Sequence, residues 1–153
     1  MSKRTVWMGT IGAGAVATMM LALGGAATAS PLDLETFKNQ AINLCLADGG
    51  GAGVGVSPCA GSAAQTWNVT QASDTTVQLK SRSTGHCLYS PSAGRVGMTG
   101  SCGSSTQQWW FVTHWADGTI RLKNQATSQC LGAGYEPTVW VSSCNDSEVE
   151  SWF

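Results

Sequence analysis

Six cysteines, two histidines and nine carboxylates are the side chains of this 153-residue sequence with the most chemistry to offer. The cysteines are Cys45, Cys59, Cys87, Cys102, Cys130 and Cys144, and the histidines are His86 and His114. A zinc site draws its thiolates and imidazoles from close pairs. No Cys-x-x-Cys occurs and the two histidines are far apart, so no metal and no cofactor is expected. Hydrolysis needs a nucleophile beside a base, or paired buried carboxylates. His86 abuts a cysteine, His114 follows the strand-like segment from Trp109 to Val112, and Glu148 and Glu150 stand two apart near the terminus. None of these makes a catalytic constellation, and no enzyme is expected. The chemistry left to the cysteines is pairing with one another. An even count in an exported chain reads as three disulfides.

Export is the reading of the N-terminus. Lys3 and Arg4 precede an apolar stretch from Val6 to about Leu23, and a small-residue run ends at Ala27-Thr28-Ala29. Charged, apolar and then A-x-A is the order of a secretory signal, with cleavage expected after Ala29. The alternative is an uncleaved membrane anchor, which the many Gly, Ala and Thr residues weaken. Residues 1–29 are thus read as signal and 30–153 as one domain, secreted to the extracellular space. Lys3 and Arg4 leave with the signal, so the remaining domain has six basic and nine acidic residues. It has no basic run, which makes nucleic acid and, after cleavage, membranes poor partners.

The elements that must position these residues repeat three times. Cys45, Cys87 and Cys130 begin the copies, at intervals of 42 and 43 residues. Cys59, Cys102 and Cys144 follow at intervals of 43 and 42, and Trp67, Trp109 and Trp152 at 42 and 43. Leu46, Leu88 and Leu131 each follow a leading cysteine. The repeats run over about 34–74, 75–117 and 118–153. Thr75 to Leu79 and Thr119 to Leu122 alternate with period two, which is strand-like. Asp117-Gly118 signals a hairpin turn, and Gly49 to Gly51 and Ala93-Gly94 mark loops between paired cysteines. The domain reads as all-β. Threefold repetition favours one bridge inside each repeat: Cys45–Cys59, Cys87–Cys102 and Cys130–Cys144.

Near the end of each repeat stand Gln65-Thr66-Trp67, Gln107-Gln108-Trp109 and the variant Glu150-Ser151-Trp152. A Cys-Leu start, a second cysteine about fourteen residues on, and then Gln-x-Trp, three times over, resembles the ricin B-type lectin family. The resemblance spans roughly Leu34 to Phe153. It implies a β-trefoil, with Trp67, Trp109 and Trp152 in the core and Gln65 and Gln107 bonded to nearby backbone. Glu150 departs from the pattern, since a carboxylate only accepts hydrogen bonds. A looser closing turn is expected in the third repeat.

The resemblance also implies one shallow sugar pocket per repeat, built from a carboxylate, a stacking ring and an asparagine. The carboxylate positions hold Ala47, Tyr89 and Gly132. The ring positions hold Ser57, Gly100 and Ser142, and the asparagine positions hold Ala64, Thr106 and Val149. All nine depart. The replacements are sought in the third repeat, where Trp140 lies four residues before Cys144 and shares a strand face with the lost ring position. Tyr135, Glu136 and Asp146 are expected to assist it. Tyr89 and Asp48 are the weaker candidates in the other repeats. The expected function is a secreted carbohydrate-binding module for polysaccharide or glycan. The alternative is a trefoil that has lost sugar binding and contacts a secreted protein as inhibitor or complex subunit.

Overall fold

The short alternations of the sequence form eleven antiparallel strands in the computed structural model, which describes residues 33–51 and 53–153. The expected signal, 1–29, lies outside the described residues. The strands are β1 (Asp33–Glu35), β2 (Leu44–Gly50), β3 (Gly53–Pro58), β4 (Trp67–Gln71), β5 (Val77–Ser81) and β6 (Cys87–Ser92). They continue with β7 (Arg95–Thr99), β8 (Trp110–His114), β9 (Ile120–Asn124), β10 (Cys130–Ala133) and β11 (Val139–Ser142). Single 3₁₀ turns occupy Ala63–Gln65, Thr106–Gln108 and Glu148–Glu150. Among the described residues, no helix is long and apolar enough to cross a membrane.

Two sets of strands divide the labour. In the first, β1 pairs with β4, β4 with β5, β5 with β8 through Val77 and Trp110, and β8 with β9. Trp152 closes the circuit by bridging Ile120 on one side and Asn39 on the other. The ring is sealed by a reciprocal backbone pair, in which Lys38 N–H donates to the Phe153 carbonyl and Phe153 N–H to that of Lys38, each at 2.9 Å. The second set is three hairpins, β2–β3, β6–β7 and β10–β11. Each is clamped by its own disulfide, Cys45–Cys59, Cys87–Cys102 and Cys130–Cys144. A loop of 14 or 15 residues closed this way stabilises by about 3 kcal/mol in the chain-entropy model. A barrel carrying three bridged hairpins is the trefoil arrangement that the resemblance implies.

The core is built of threefold sets. Phe37, Leu79 and Leu122 come from the barrel, Leu46, Leu88 and Leu131 from the first strand of each hairpin, and Val56, Met98 and Val141 from the second. The fourth set is Trp67, Trp110 and Trp152, all fully buried. Each indole N–H donates to the carbonyl of the leucine after its repeat's leading cysteine: Leu46 at 3.3 Å, Leu88 at 3.3 Å and Leu131 at 3.0 Å. A buried indole needs such a partner.

This set corrects the expected register of the second repeat. Trp110 is the core tryptophan, and Trp109 is half-buried with its indole N–H on the Gly103 carbonyl. The motif residue is accordingly Gln108, not Gln107. Gln65, Gln108 and Glu150 each end a 3₁₀ turn and are buried, and each lies six residues after its repeat's second cysteine. Gln107 is directed elsewhere, its amide donating to the Pro91 carbonyl at 3.0 Å. The family's asparagine position in this repeat is therefore Gln107 rather than Thr106, so an amide is retained there.

The third closing turn is not loose. Gln65 accepts from the Ala60 N–H and donates to Ser57 Oγ and the Pro58 carbonyl. Gln108 accepts from the Gly103 N–H and donates to the Ser101 carbonyl. Glu150 accepts from the Asn145 N–H and, at 3.0 Å, from the Ser142 hydroxyl. Ser142 matches Ser57, and a hydroxyl can reverse its role from acceptor to donor. A second exchange accompanies it. Gln78 donates to Gln108 in the second repeat, whereas Arg121 takes the place of Gln78 in the third, its Nε 3.8 Å from Glu150. An amide pair has become an ion pair in the same location.

Candidate functional site

The third hairpin holds three of the expected site residues together. In the β10–β11 register Gly132 faces Trp140, and the indole reaches from Gly132 to Gly134. A Cβ on Gly134 would come within 2.9 Å of the ring, and one on Gly132 within 3.2 Å. Glycine at both positions lets the ring approach the backbone. The indole thus fills the space over Gly132, the position at which the resemblance places a carboxylate. Trp140 is half-buried; Tyr135, 88% exposed, and Glu136, also exposed, lie in the loop between the two strands.

The other expected residues are not brought to that ring. Asp146 pairs with the Arg121 guanidinium and lines a different cleft. Tyr89 is half-buried on β6, opposite Gly97. Asp48 is buried and bonded within the protein, which corrects its placement as a ligand-facing acid. Its carboxylate accepts from the Gly50 N–H at 2.9 Å and from the Thr84 hydroxyl. Burial pushes its pKa up, but bonds from Thr84, Ser81 and Gly50 and the nearby His86 outweigh burial and hold it below the ordinary aspartate value. His86 extends the contact, with Nδ1 3.0 Å from the Gly51 carbonyl. Asp48 therefore fastens the first hairpin to the second repeat.

The cleft that Asp146 lines encloses about 410 Å³. Its walls include Trp115 and Asp117 from the β8–β9 turn, Arg121 from β9, and Asp146 and Glu148 from the closing segment; Gln40, after β1, completes it. Trp115 is 41% exposed. The Arg121 guanidinium lies over its ring, 4.9 Å from the centroid. Asp117 accepts from the Thr119 hydroxyl at 2.7 Å and N–H at 3.0 Å, and with Gln40 these bonds hold its carboxyl below the ordinary value. Sequence reading missed Trp115 and Arg121, which lie outside the cysteine loops where a sugar pocket was sought. Among the described residues, no group of three His, Cys, Asp or Glu side chains could hold a metal ion.

Comparison with known proteins bears on what this barrel with three bridged hairpins is. Residues 28–101 match the family model of the ricin-type beta-trefoil lectin domain-like proteins. The chain has the β-trefoil fold, and this stretch of it is similar to the ricin-type lectin domain-like family. This trefoil superposes on ThreeFoil, a designed threefold-symmetric protein, with a TM-score of 0.70 and 19% identity, over 78% of this chain and 95% of that one. It superposes on SeviL, solved bound to asialo-GM1 saccharide, with a TM-score of 0.65 and 17% identity, over 80% and 95%. It also matches a GlcNAcα1-4Gal-releasing endo-β-galactosidase from Clostridium perfringens, with a TM-score of 0.68 and 16% identity, over 78% of this chain but 31% of that one. At these identities the likeness is one of fold. The search of curated proteins found no match.

Proposed function

We propose that this trefoil is a secreted carbohydrate-binding module that acts without catalysis, its ligand a polysaccharide or glycan met outside the cell. The observation that carries the reading is the third hairpin, where the Trp140 indole lies against Gly132 and Gly134 and the connecting loop carries the exposed Tyr135 and Glu136. A ring on a hairpin whose loop also carries a carboxylate and a phenol suits a sugar, whose C–H face stacks and whose hydroxyls both donate and accept. The family match and the saccharide complex of SeviL support it. Three internal disulfides suit an oxidising compartment. The test is a glycan array with polysaccharide pull-downs, read for the wild type and Trp140→Ala. Binding is expected, with the variant weaker about fivefold, the equivalent of a ring contact of about 1 kcal/mol. Blank results at millimolar ligand would remove the reading.

A second reading has an observation of its own. The indole fills the carboxylate place over Gly132 and Asp48 is bonded internally, as in a trefoil that has given up sugar for a protein ligand. A secreted protein that co-purifies stoichiometrically, together with a blank array, would establish it.

A further inference from the structure

The repeat supplies its own control for the cleft around Trp115. The β4–β5 turn and the β8–β9 turn are built alike. Ala72 N–H donates to the Thr76 carbonyl at 2.8 Å, and Trp115 N–H to that of Thr119 at 2.9 Å. Asp74 accepts from the Thr76 hydroxyl as Asp117 does from Thr119. The same turn thus forms with alanine where the later one has tryptophan. An indole that is 41% exposed there has no part in making the turn. The neighbours change with it. Gln78 of β5 becomes Arg121, and Ser104 and Thr106 of the second repeat's closing segment, which Gln78 faces, become Asp146 and Glu148. Of these two turns, only β8–β9 has a ring, a guanidinium and two further carboxylates gathered around it.

We propose that the cleft formed by Trp115, Asp117, Arg121, Asp146, Glu148 and Gln40 is a second saccharide site, distinct from the hairpin that bears Trp140. The inference rests on the carbohydrate-binding reading and names a second place where sugar is held. The residue chemistry selects the ligand. Carboxylates only accept, the guanidinium only donates, and the amide does both; adjacent sugar hydroxyls satisfy all three at once. An anion would face three carboxylates. A simple cation finds its seat on the ring already taken by Arg121, at 4.9 Å from the centroid. What remains is open indole surface for the C–H face of a pyranose. Arg121 is itself held still, its side chain 7% exposed and tied to Asp146, so the donor is in place before the ligand arrives. A volume of about 410 Å³ falls within the usual range of small-molecule sites, roughly 300–1,000 Å³.

The test is calorimetric titration of the disulfide-bonded protein with lactose, cellotriose, chitotriose and mannotriose, comparing wild type, Trp115→Ala, Trp140→Ala and the pair Asp117→Asn with Glu148→Gln. Trp115→Ala is expected to fold, since alanine occupies the equivalent turn. It should lose one saccharide equivalent or bind at least about fivefold more weakly, as for the loss of a ring contact of about 1 kcal/mol. The carboxamide pair should lose affinity with Trp115 intact. Wild-type affinity and stoichiometry in both variants, with binding lost in Trp140→Ala, would overturn this inference and leave the carbohydrate reading standing. No binding of any of the four sugars by the wild type would overturn both.

Discussion

Trp109 and Trp110 are neighbours in sequence with opposite roles, and the difference is one of register. Trp110 has no exposure and donates to the Leu88 carbonyl, whereas Trp109 is half-buried. Trp110→Ala should cost about 3–5 kcal/mol, the usual cost of deleting a buried aromatic, and Trp109→Ala less than half as much. Urea unfolding of the two variants decides it; equal losses would contradict the assignment. Arg121 and Glu150 give a second test. Either single change to glutamine leaves the other charge buried without its partner and should cost up to about 3 kcal/mol, the low end for a broken buried pair, because Asp146 still faces Arg121 and Ser142 still donates to Glu150. The double change recreates the amide pair that Gln78 and Gln108 already make. It should recover at least about 1 kcal/mol relative to additivity, a coupling within the range for residues in contact. Strict additivity of the unfolding free energies would show that the two side chains act independently.

Among the elements, the hairpins were the most legible part of the sequence. Each begins at a Cys-Leu pair and ends at its partner cysteine, and β2–β3, β6–β7 and β10–β11 form there. The second repeat was misread because Cys87 and Cys102 are 15 apart where the others are 14 apart. That extra residue moves the motif on by one, and counting six from the second cysteine, rather than 42 from the previous tryptophan, locates Gln108 and Trp110. The role of Asp48 was not legible at all, because its partner Thr84 lies 36 residues away in the next repeat. This contact between hairpin and neighbour has a pH signature. A carboxyl held below its ordinary pKa in the folded state stabilises above the unfolded value, about 3.9, and loses that contribution as pH falls through the folded one. Asp48→Asn should lower stability at neutral pH by about 1–3 kcal/mol, as for a disturbed buried hydrogen bond, and flatten the loss below pH about 4. Asp74 and Asp117, held down by Thr76 and Thr119, keep part of the acid limb in that variant. Parallel acid limbs in wild type and variant would contradict the role given to Asp48.

The whole molecule determines what no segment shows. Gln40, Trp115 and Asp146 are spread along the chain and meet in one cleft because Trp152 closes the barrel between Ile120 and Asn39. Sequence reading placed the fold because periodicity survives in one dimension. Tyr135, Glu136 and Trp140 lie on one hairpin, but Asp146, expected to assist that ring, pairs instead with Arg121, a contact that exists only in three dimensions. The central claim is that this trefoil binds saccharide through exposed or half-buried indoles while its core indoles serve the fold. Of seven tryptophans, one, Trp7, lies in the expected signal, and residues 30–153 have six indole N–H groups. Three of them donate within the core, to Leu46, Leu88 and Leu131. A nitrogen–proton correlation spectrum, followed as the same four sugars are added, watches all six at once. The account predicts that the Trp140 or Trp115 resonance moves in a saturable manner while those of Trp67, Trp110 and Trp152 stay fixed. A spectrum in which no indole responds to any of the sugars would contradict it.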